Sequence, residues 1–228
     1  MDEMIVKPVA RIRTDFKEKF GIPRQSGRVD ALEGVIVFEP DYRNPEALRG
    51  IEKFSHLWLI FDFSASHRAQ WSPTVRPPRL GGNTRVGVFA SRSPFRPNPI
   101  GLSCVRLLGT EQTAHEGTVL RVAGVDLLDG TPILDVKPYI PYADCRPDAV
   151  GSYADAHQHD RLEVVFPPEL LEHIPKDKRE AAAACLADDP RPSYQDDPER
   201  MYSMAFAGCD IHFCVNNGTL TVIRVDTD

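Results

Sequence analysis

The sequence predicts a mainly β protein: a small closed β-barrel over residues 1–142, a linker over 143–160 and a small α+β domain over 161–228. Short β-branched and aromatic runs recur at fairly regular spacing through the first part, separated by Gly, Pro and Asp-Gly turns. Helical runs and a hairpin appear only beyond Leu162. A chain of 228 residues is long enough for one well-buried domain plus a smaller one.

Taken in order, Met4 to Ile12 reads as a first strand, followed by a polar connection from Arg13 to Asp30 that contains Phe16, Phe20 and Pro23-Arg24-Gln25. Gly34 to Phe38 is a second strand stopped by Pro40, and Pro45 to Gly50 a helical turn with Pro at its start and Gly at its end. Ser55 to Phe63, SHLWLIFDF, is the most hydrophobic run and reads as a central strand apolar on both faces. Arg85 to Ser91 alternates Val86, Val88 and Ala90 with Arg85, Gly87 and Phe89, a strand pattern. Ile100–Leu108, Thr118–Val125 and Ile133–Val136 complete the barrel strands, which end near Tyr142. In the second domain, Leu162–Phe166 is a strand, Pro167-Pro168 opens a short helix and Lys176–Ala187 is a second, alanine-rich one. Ser203–Val215 and Thr219–Val225 flank Asn216-Asn217-Gly218, a hairpin turn.

Charge is distributed unevenly. From Phe63 to Thr110 there are seven arginines, no lysine and no carboxylate, within a chain of net charge −6. The rest of the chain therefore carries about −13. Five of these arginines lie in Ser72–Ser103, among six prolines and the pair Gly81-Gly82, which reads as a turn. Guanidinium is a planar fork that engages phosphate or carboxylate through two bonds, and prolines hold such forks in stiff loops. The stretch is a candidate anion site. Arg76, Arg79, Arg85 and Arg96 are its candidate anion contacts.

A second loop, Asp126 to Pro132 (DLLDGTP), contains an Asp-Gly turn where backbone approaches a ligand closely. Asp126, Asp129 and Asp135 are acid/base candidates, each weighed against an aspartate that merely bonds its own turn. Other chemistries lack support. There is no GxxxxGK[ST], no GxGxxG opening a helix and no GxSxG around Ser91 or Ser93. His157 and His159 read as an exposed loop pair, so no metal is expected, and His56 as a residue bonded at the start of a strand. The longest apolar run, Leu57–Phe61, is too short to span a bilayer. An acidic N-terminus without a signal pattern and five cysteines without a CxxC pair predict reduced thiols and a cytoplasmic location.

PTVRPPRLGGNTRVGVFASRSPFRPNPIGLS, with EKFGIPRQ and FSHLWLIF before it, resembles the tRNA threonylcarbamoyladenosine methyltransferase family, the TsaA-like or TrmO proteins. VDLLDGTPILDVKPYIPYAD matches a second signature of that family, and LADDPRPSY resembles its C-terminal motif, so the likeness covers nearly the whole chain. It implies a non-Rossmann β-barrel that binds S-adenosylmethionine. It implies N6-methylation of N6-threonylcarbamoyladenosine at position 37, in the anticodon stem-loop of tRNA, and a homodimer. Carried over by motif, cofactor contacts fall at Pro23, Arg24, Gln25, Ser64, Ala65, Arg92, Leu102, Leu128, Asp129, Gly130 and Thr131. Ser64-Ala65 stands where some relatives carry His-Gln, which leaves backbone atoms to make that contact. The catalytic base is unassigned, with Asp129 and Asp135 as candidates. The alternative is a non-catalytic barrel that binds RNA or an anionic small molecule through the same arginines.

Overall fold

The computed structural model describes every residue except 1–3, 81–82, 193–194, 196 and 228, and the side chains of Arg79 and His157. The Gly81-Gly82 turn, the end of the LADDPRPSY motif, the Arg79 fork and the His157 ring therefore lie outside the described residues. In chain order the strands are β1 (Ala10–Arg13), β2 (Glu33–Phe38), β3 (His56–Asp62), β4 (Thr74–Val75), β5 (Val86–Gly87) and β6 (Ile100–Thr113). They continue as β7 (Gly117–Ala123), β8 (Pro132–Pro138), β9 (Glu163–Val165), β10 (Tyr202–Phe206), β11 (Cys209–Asn216) and β12 (Thr219–Thr227). The α-helices are α1 (Pro141–Asp144), α2 (Pro168–Leu171) and α3 (Arg179–Ala187). The architecture is mainly β.

The chain forms two compact units that are not simple halves of the sequence. The first holds Met1–Thr14, Gln25–Ser72 and Pro94–Cys145; the second holds Asp15–Arg24, Pro73–Ser93 and Arg146–Asp228.

In the first unit six strands pair in the order β1-β2-β7-β6-β3-β8, and β8 returns to β1 through Ala10↔Ile133 and Arg11↔Pro132. Alternating side chains face inward: Ala10, Ile12, Ile36, Leu57, Leu59, Val105, Leu120, Val122 and Ile133 are fully or almost fully buried. The long strand β6 serves two neighbours, pairing β3 with its first half and β7 with its second. A register shift between Leu107 and Gly109 lets it bend between them. Gly101 stands opposite Phe61, and a Cβ there would lie only 2.2 Å from the Phe61 ring. The aromatic thus occupies the volume a side chain at 101 would need.

Two strand expectations need correction in this unit. Strand β1 begins at Ala10, not Met4: Met4 and Ile5 are exposed, and Pro8 offers no N–H to a ladder. Strand β3 is central, between β6 and β8, but only alternate residues are buried, so one face of its apolar run is partly open.

The second unit is mostly sheet, with short helices, where the sequence predicted a more even α+β mixture. Its order is β10-β11-β12-β9, with β9 parallel to β12 and the other pairs antiparallel. Helix α3 buries Ala181, Ala182, Cys185 and Leu186. Burial pushes the Cys185 thiol far above its ordinary range, with Asp188 adding to the effect, which makes it a packing group rather than a nucleophile. The expected strand Ser203–Val215 is in fact two strands. Ala207 (φ 52°) and Gly208 (φ 75°) form a turn between β10 and β11, and Asn217 (φ 49°) and Gly218 (φ 81°) form the next. Paired left-handed residues are what two-residue hairpins require.

The segment Asp15–Arg24 packs on this sheet. Phe16 meets Phe206 at 5.1 Å between ring centroids, and Phe20 stacks on Tyr202 and Phe213. The expected strand Arg85–Ser91 is also corrected here: β5 holds two residues paired to β4, and Val88–Ala90 turns as a 3-10 helix. Alternation alone did not suffice, because Phe89 has no face to bury and is 75% exposed.

Candidate functional site

The loop between β7 and β8 is fixed to β1 at almost every step. Val125 and Leu127 are buried, Leu128 and Asp129 half-buried and Gly130 exposed, so the loop reaches the surface at Gly130 before Thr131 turns back in. Thr131 closes the turn on itself, its backbone N–H and Oγ1 both donating to the Leu128 carbonyl, the latter at 2.7 Å. Gly130 adopts φ 75°, in the left-handed region that favours glycine, with open space where a Cβ would project. Its N–H donates to the Ile12 carbonyl at 2.8 Å, and the Ile12 N–H donates to the Thr131 carbonyl at 3.1 Å. Thr14 then makes a two-point clamp: its N–H donates to Asp129 Oδ1 and its hydroxyl to the Leu127 carbonyl, each at 3.0 Å. Arg11, paired with Glu39, donates to the Gly130 carbonyl at 3.2 Å.

A cavity of about 300 Å³ adjoins this loop, lined by Asp129 and Gly130 together with Arg11, Arg13, Arg43, Glu39 and Glu116. Arg13 reaches both carboxylate oxygens of Glu116. That hydrogen bonding holds the Glu116 carboxyl below its usual range and raises the Arg13 guanidinium above its own.

The three candidate aspartates differ in what their oxygens do. Asp129 Oδ1 takes the Thr14 N–H, so this carboxylate anchors the loop. Asp135 accepts from the Val136 N–H at 2.9 Å and pairs with Lys137 at 2.8 Å. Asp126 accepts the Ser103 hydroxyl at 2.6 Å, and Ser103 is almost completely buried. Next to Ser103, Leu102 is 47% exposed and stands opposite Ile60, which itself stands opposite Asp135. Leu102 and Asp135 therefore flank Ile60 in one row across three strands.

Among the other expected contacts, Ser64 and Ala65 are exposed on a 3-10 turn directly after β3, held by the Ser66 N–H on the Phe63 carbonyl at 2.7 Å. Gln25 is exposed, and the adjacent Ser26 hydroxyl accepts the Cys104 N–H at 3.1 Å. Pro23, Arg24 and Arg92 belong to the other unit; Pro23 is buried, Arg24 half-buried and Arg92 exposed. Of the candidate RNA contacts, Arg76 is exposed, Arg85 is exposed and donates to Thr74 Oγ1 at 2.9 Å, and Arg96 is half-buried. Arg68 lies 3.6 Å above the Phe95 ring. His56 shares a hydrogen bond with Ser55 Oγ at 2.9 Å and packs against Tyr139. Ser91 Oγ donates to the Val88 carbonyl, which makes it a turn residue.

Sequence reasoning missed Thr14, Arg11 and Ser103. Only the alternation of ARIR, which turns Arg11 and Arg13 to one face, hinted at Arg11. No group of three metal-ligating side chains occurs among the described residues, and no helix is long and apolar enough to cross a membrane.

The family described as tRNA-methyltransferase O N-terminal domain matches residues 11–145, and the TrmO C-terminal domain matches residues 159–228. The tRNA (adenine(37)-N6)-methyltransferase of Escherichia coli K12 is 44% identical over 202 residues, covering 86% of this chain and 85% of that one. A Pseudomonas aeruginosa relative named for S-adenosylmethionine-dependent methyl transfer is 41% identical over 226 residues, 91% of each chain. The crystal structure of TrmO from P. aeruginosa superimposes with a TM-score of 0.80 at 36% identity, covering 100% of this chain and 99% of that one. The chain belongs to the tRNA-methyltransferase O family.

Proposed function

We propose that this protein is an S-adenosylmethionine-dependent methyltransferase that modifies N6 of N6-threonylcarbamoyladenosine at position 37 of tRNA. The observation that carries the reading is the match to both family domains, supported by a relative named for tRNA adenine-37 N6-methylation that aligns over most of both chains. We read the returning ring of six strands as a small closed barrel and the working form as a cytoplasmic homodimer.

The cofactor contacts proposed are Pro23, Arg24, Gln25, Ser64, Ala65, Arg92, Leu102 and Leu128 to Thr131. The donor set suits the group. A sulfonium, an ammonium and ribose hydroxyls call for carboxylate and carbonyl acceptors, and the loop carries such groups at Leu128, Asp129 and Gly130, each also bonded within the fold. A terminal carboxylate calls for guanidinium, which Arg24 and Arg92 supply. Bound there, S-adenosylmethionine supplies an electrophilic methyl group.

The chain's own task is to place the acceptor N6 in line with that methyl near 3 Å and to let the N6 proton leave. N6 belongs to a urea, so its lone pair is delocalised, and a base nearby assists the loss. Asp129 already holds the loop, and Asp135 faces Lys137, so either would serve as base only after exchanging a partner. The threonyl carboxylate and tRNA phosphates are the anions for Arg76, Arg79, Arg85 and Arg96.

The test is incubation with methyl-labelled S-adenosylmethionine and tRNA carrying or lacking the threonylcarbamoyl group, followed by nucleoside analysis. Label in N6-methylated threonylcarbamoyladenosine is expected. Cofactor and tRNA binding without label would establish the non-catalytic alternative.

A further inference from the structure

We propose that the turn Asp189–Arg191 is a positioning device for Arg24, so that cofactor affinity depends on the DDPRP motif near the C-terminus. The inference rests on the proposed role of Arg24 in holding the cofactor and assigns the C-terminal motif a part in that role.

The path to Arg24 is anchored throughout its length. Asp15 pairs with Lys178 at 2.7 Å, and its carbonyl accepts the Ala207 N–H at 3.0 Å. Phe16 and Phe20 then insert against the aromatic rings of β10 and β11. At the end of the segment, Arg24 Nη2 donates to the Arg191 carbonyl at 2.7 Å in a part-buried setting.

The residue that bears that carbonyl is itself held from several sides. Arg191 Nε and Nη2 engage the two carboxylate oxygens of Asp189 at 2.9 and 3.0 Å, and the Arg191 N–H donates to Asp189 Oδ1 at 3.2 Å. The Arg191 side chain is only 10% exposed. Asp189 sits at φ 51°, just beyond the C-terminus of α3, and its N–H donates to the Leu186 carbonyl. A fork-to-fork pair bent back over one residue fixes the Pro190–Arg191 peptide, next to the one that carries the acceptor carbonyl.

A long arginine loses rotamer freedom when it grips a ligand. A bond to a fixed carbonyl removes part of that cost beforehand. A guanidinium bears five N–H donors, and the bond to the Arg191 carbonyl engages one of them and orients the fork. Without the Asp189–Arg191 pair the acceptor carbonyl is held less firmly, and more of the ordering of Arg24 falls to the ligand.

The experiment is calorimetry of S-adenosylmethionine binding to the full-length chain as wild type, Arg24→Ala, Asp189→Asn, Arg191→Ala and the Arg24→Ala/Asp189→Asn double variant. Asparagine tolerates the left-handed backbone, so Asp189→Asn keeps the turn while removing the charge. We expect Asp189→Asn and Arg191→Ala each to weaken binding by roughly 2- to 10-fold, the range of one ordinary hydrogen bond, with the melting temperature of Asp189→Asn nearly unchanged. In the Arg24→Ala background Asp189→Asn should cause no further loss, a coupling that a purely structural turn would not produce. Should Arg191→Ala fail to fold, the Asp189→Asn cycle decides alone. Unchanged affinity in the turn variants, or additive effects in the double variant, overturns the proposal while leaving the cofactor role of Arg24 intact. Unchanged affinity in Arg24→Ala overturns that role and the proposal together. Loss of tRNA binding alone in Asp189→Asn would make the turn an RNA contact and overturn it as well.

Discussion

The β7–β8 loop and the arginine stretch are both turn-rich, yet they are built in opposite ways. The loop is tied by bonds from Arg11, Ile12 and Thr14 to residues 127–131, so its shape is set by the protein. The stretch between Pro73 and Ser93 has two strands of two residues each, short 3-10 turns and exposed forks at Arg76, Arg85 and Arg92. In the proposed function the first meets a small ligand approached closely by backbone, and the second offers charge to a large anion. Preorganisation costs least where the protein already makes the bonds, as it does in the loop.

The comparison can be broken at its largest expected effect by changing the anion. If the arginine stretch reads the threonylcarbamoyl carboxylate, tRNA lacking that group should be methylated roughly 10- to 100-fold more slowly, from the loss of about 1.5–3 kcal/mol of charge-assisted bonding. Initial rates on modified and unmodified tRNA measure this. Equal rates would mean that the forks see only phosphate.

The anchoring of the loop is tested next. Asp129→Ala removes the acceptor of the Thr14 N–H and should cost about 1–3 kcal/mol in denaturant unfolding, with weaker S-adenosylmethionine binding. Gly130→Ala forces alanine into a left-handed backbone and should cost about 1–2 kcal/mol despite the open space beside it. If both variants unfold as the wild type does, the loop is not fixed as the bonds indicate.

A smaller effect sharpens the other side. Arg76→Ala with Arg79→Ala should flatten the slope of log tRNA affinity against log salt by about 1–2 units, leaving S-adenosylmethionine affinity unchanged. A salt titration beside cofactor calorimetry separates the two. An unchanged slope with lost cofactor binding would assign this segment to the cofactor.

The smallest effect concerns pH. Arg13 depresses the Glu116 carboxyl in the folded chain, so the pair contributes stability above the ordinary carboxylate range and loses it as pH falls through the lowered folded value. Melting curves of wild type and Glu116→Gln should therefore differ slightly at neutral pH and converge in acid. Because the pair lies at the surface, high salt should shrink the difference.

Much of this was legible in the residues. The apolar runs VIVF and HLWLIF located β2 and β3, and Asn217-Gly218 located the last hairpin, because apolar runs and turn chemistry are local. The chemistry of Asp129-Gly130 was legible for the same reason. Long-range facts were not. Nothing local shows that Phe16 and Phe20 belong with Phe206 and Phe213, far along the chain, or that Thr14 clamps Asp129. The turn at Ala207-Gly208 was hidden because alanine is a poor cue for a left-handed position. Arg85–Ser91 misled because its alternation had no buried face to meet.

The place where β8 returns to β1 has a kinetic consequence. Only two residue pairs form that seam, and Pro132 has no amide to contribute. The Val9, Ile12 and Gly130 amides carry the crossing through bonds to the carbonyls of Ile133, Thr131 and Ile12. Such a short seam is the least costly place for the ring to part, while β3, paired along its length on both sides, opens only with the whole unit. Deuterium should therefore enter at Val9, Ile12 and Gly130 well before it enters β3. Since the same amides hold the loop carrying Asp129, an occupant of that loop would slow their exchange, and the seam would report binding without any measurement of turnover.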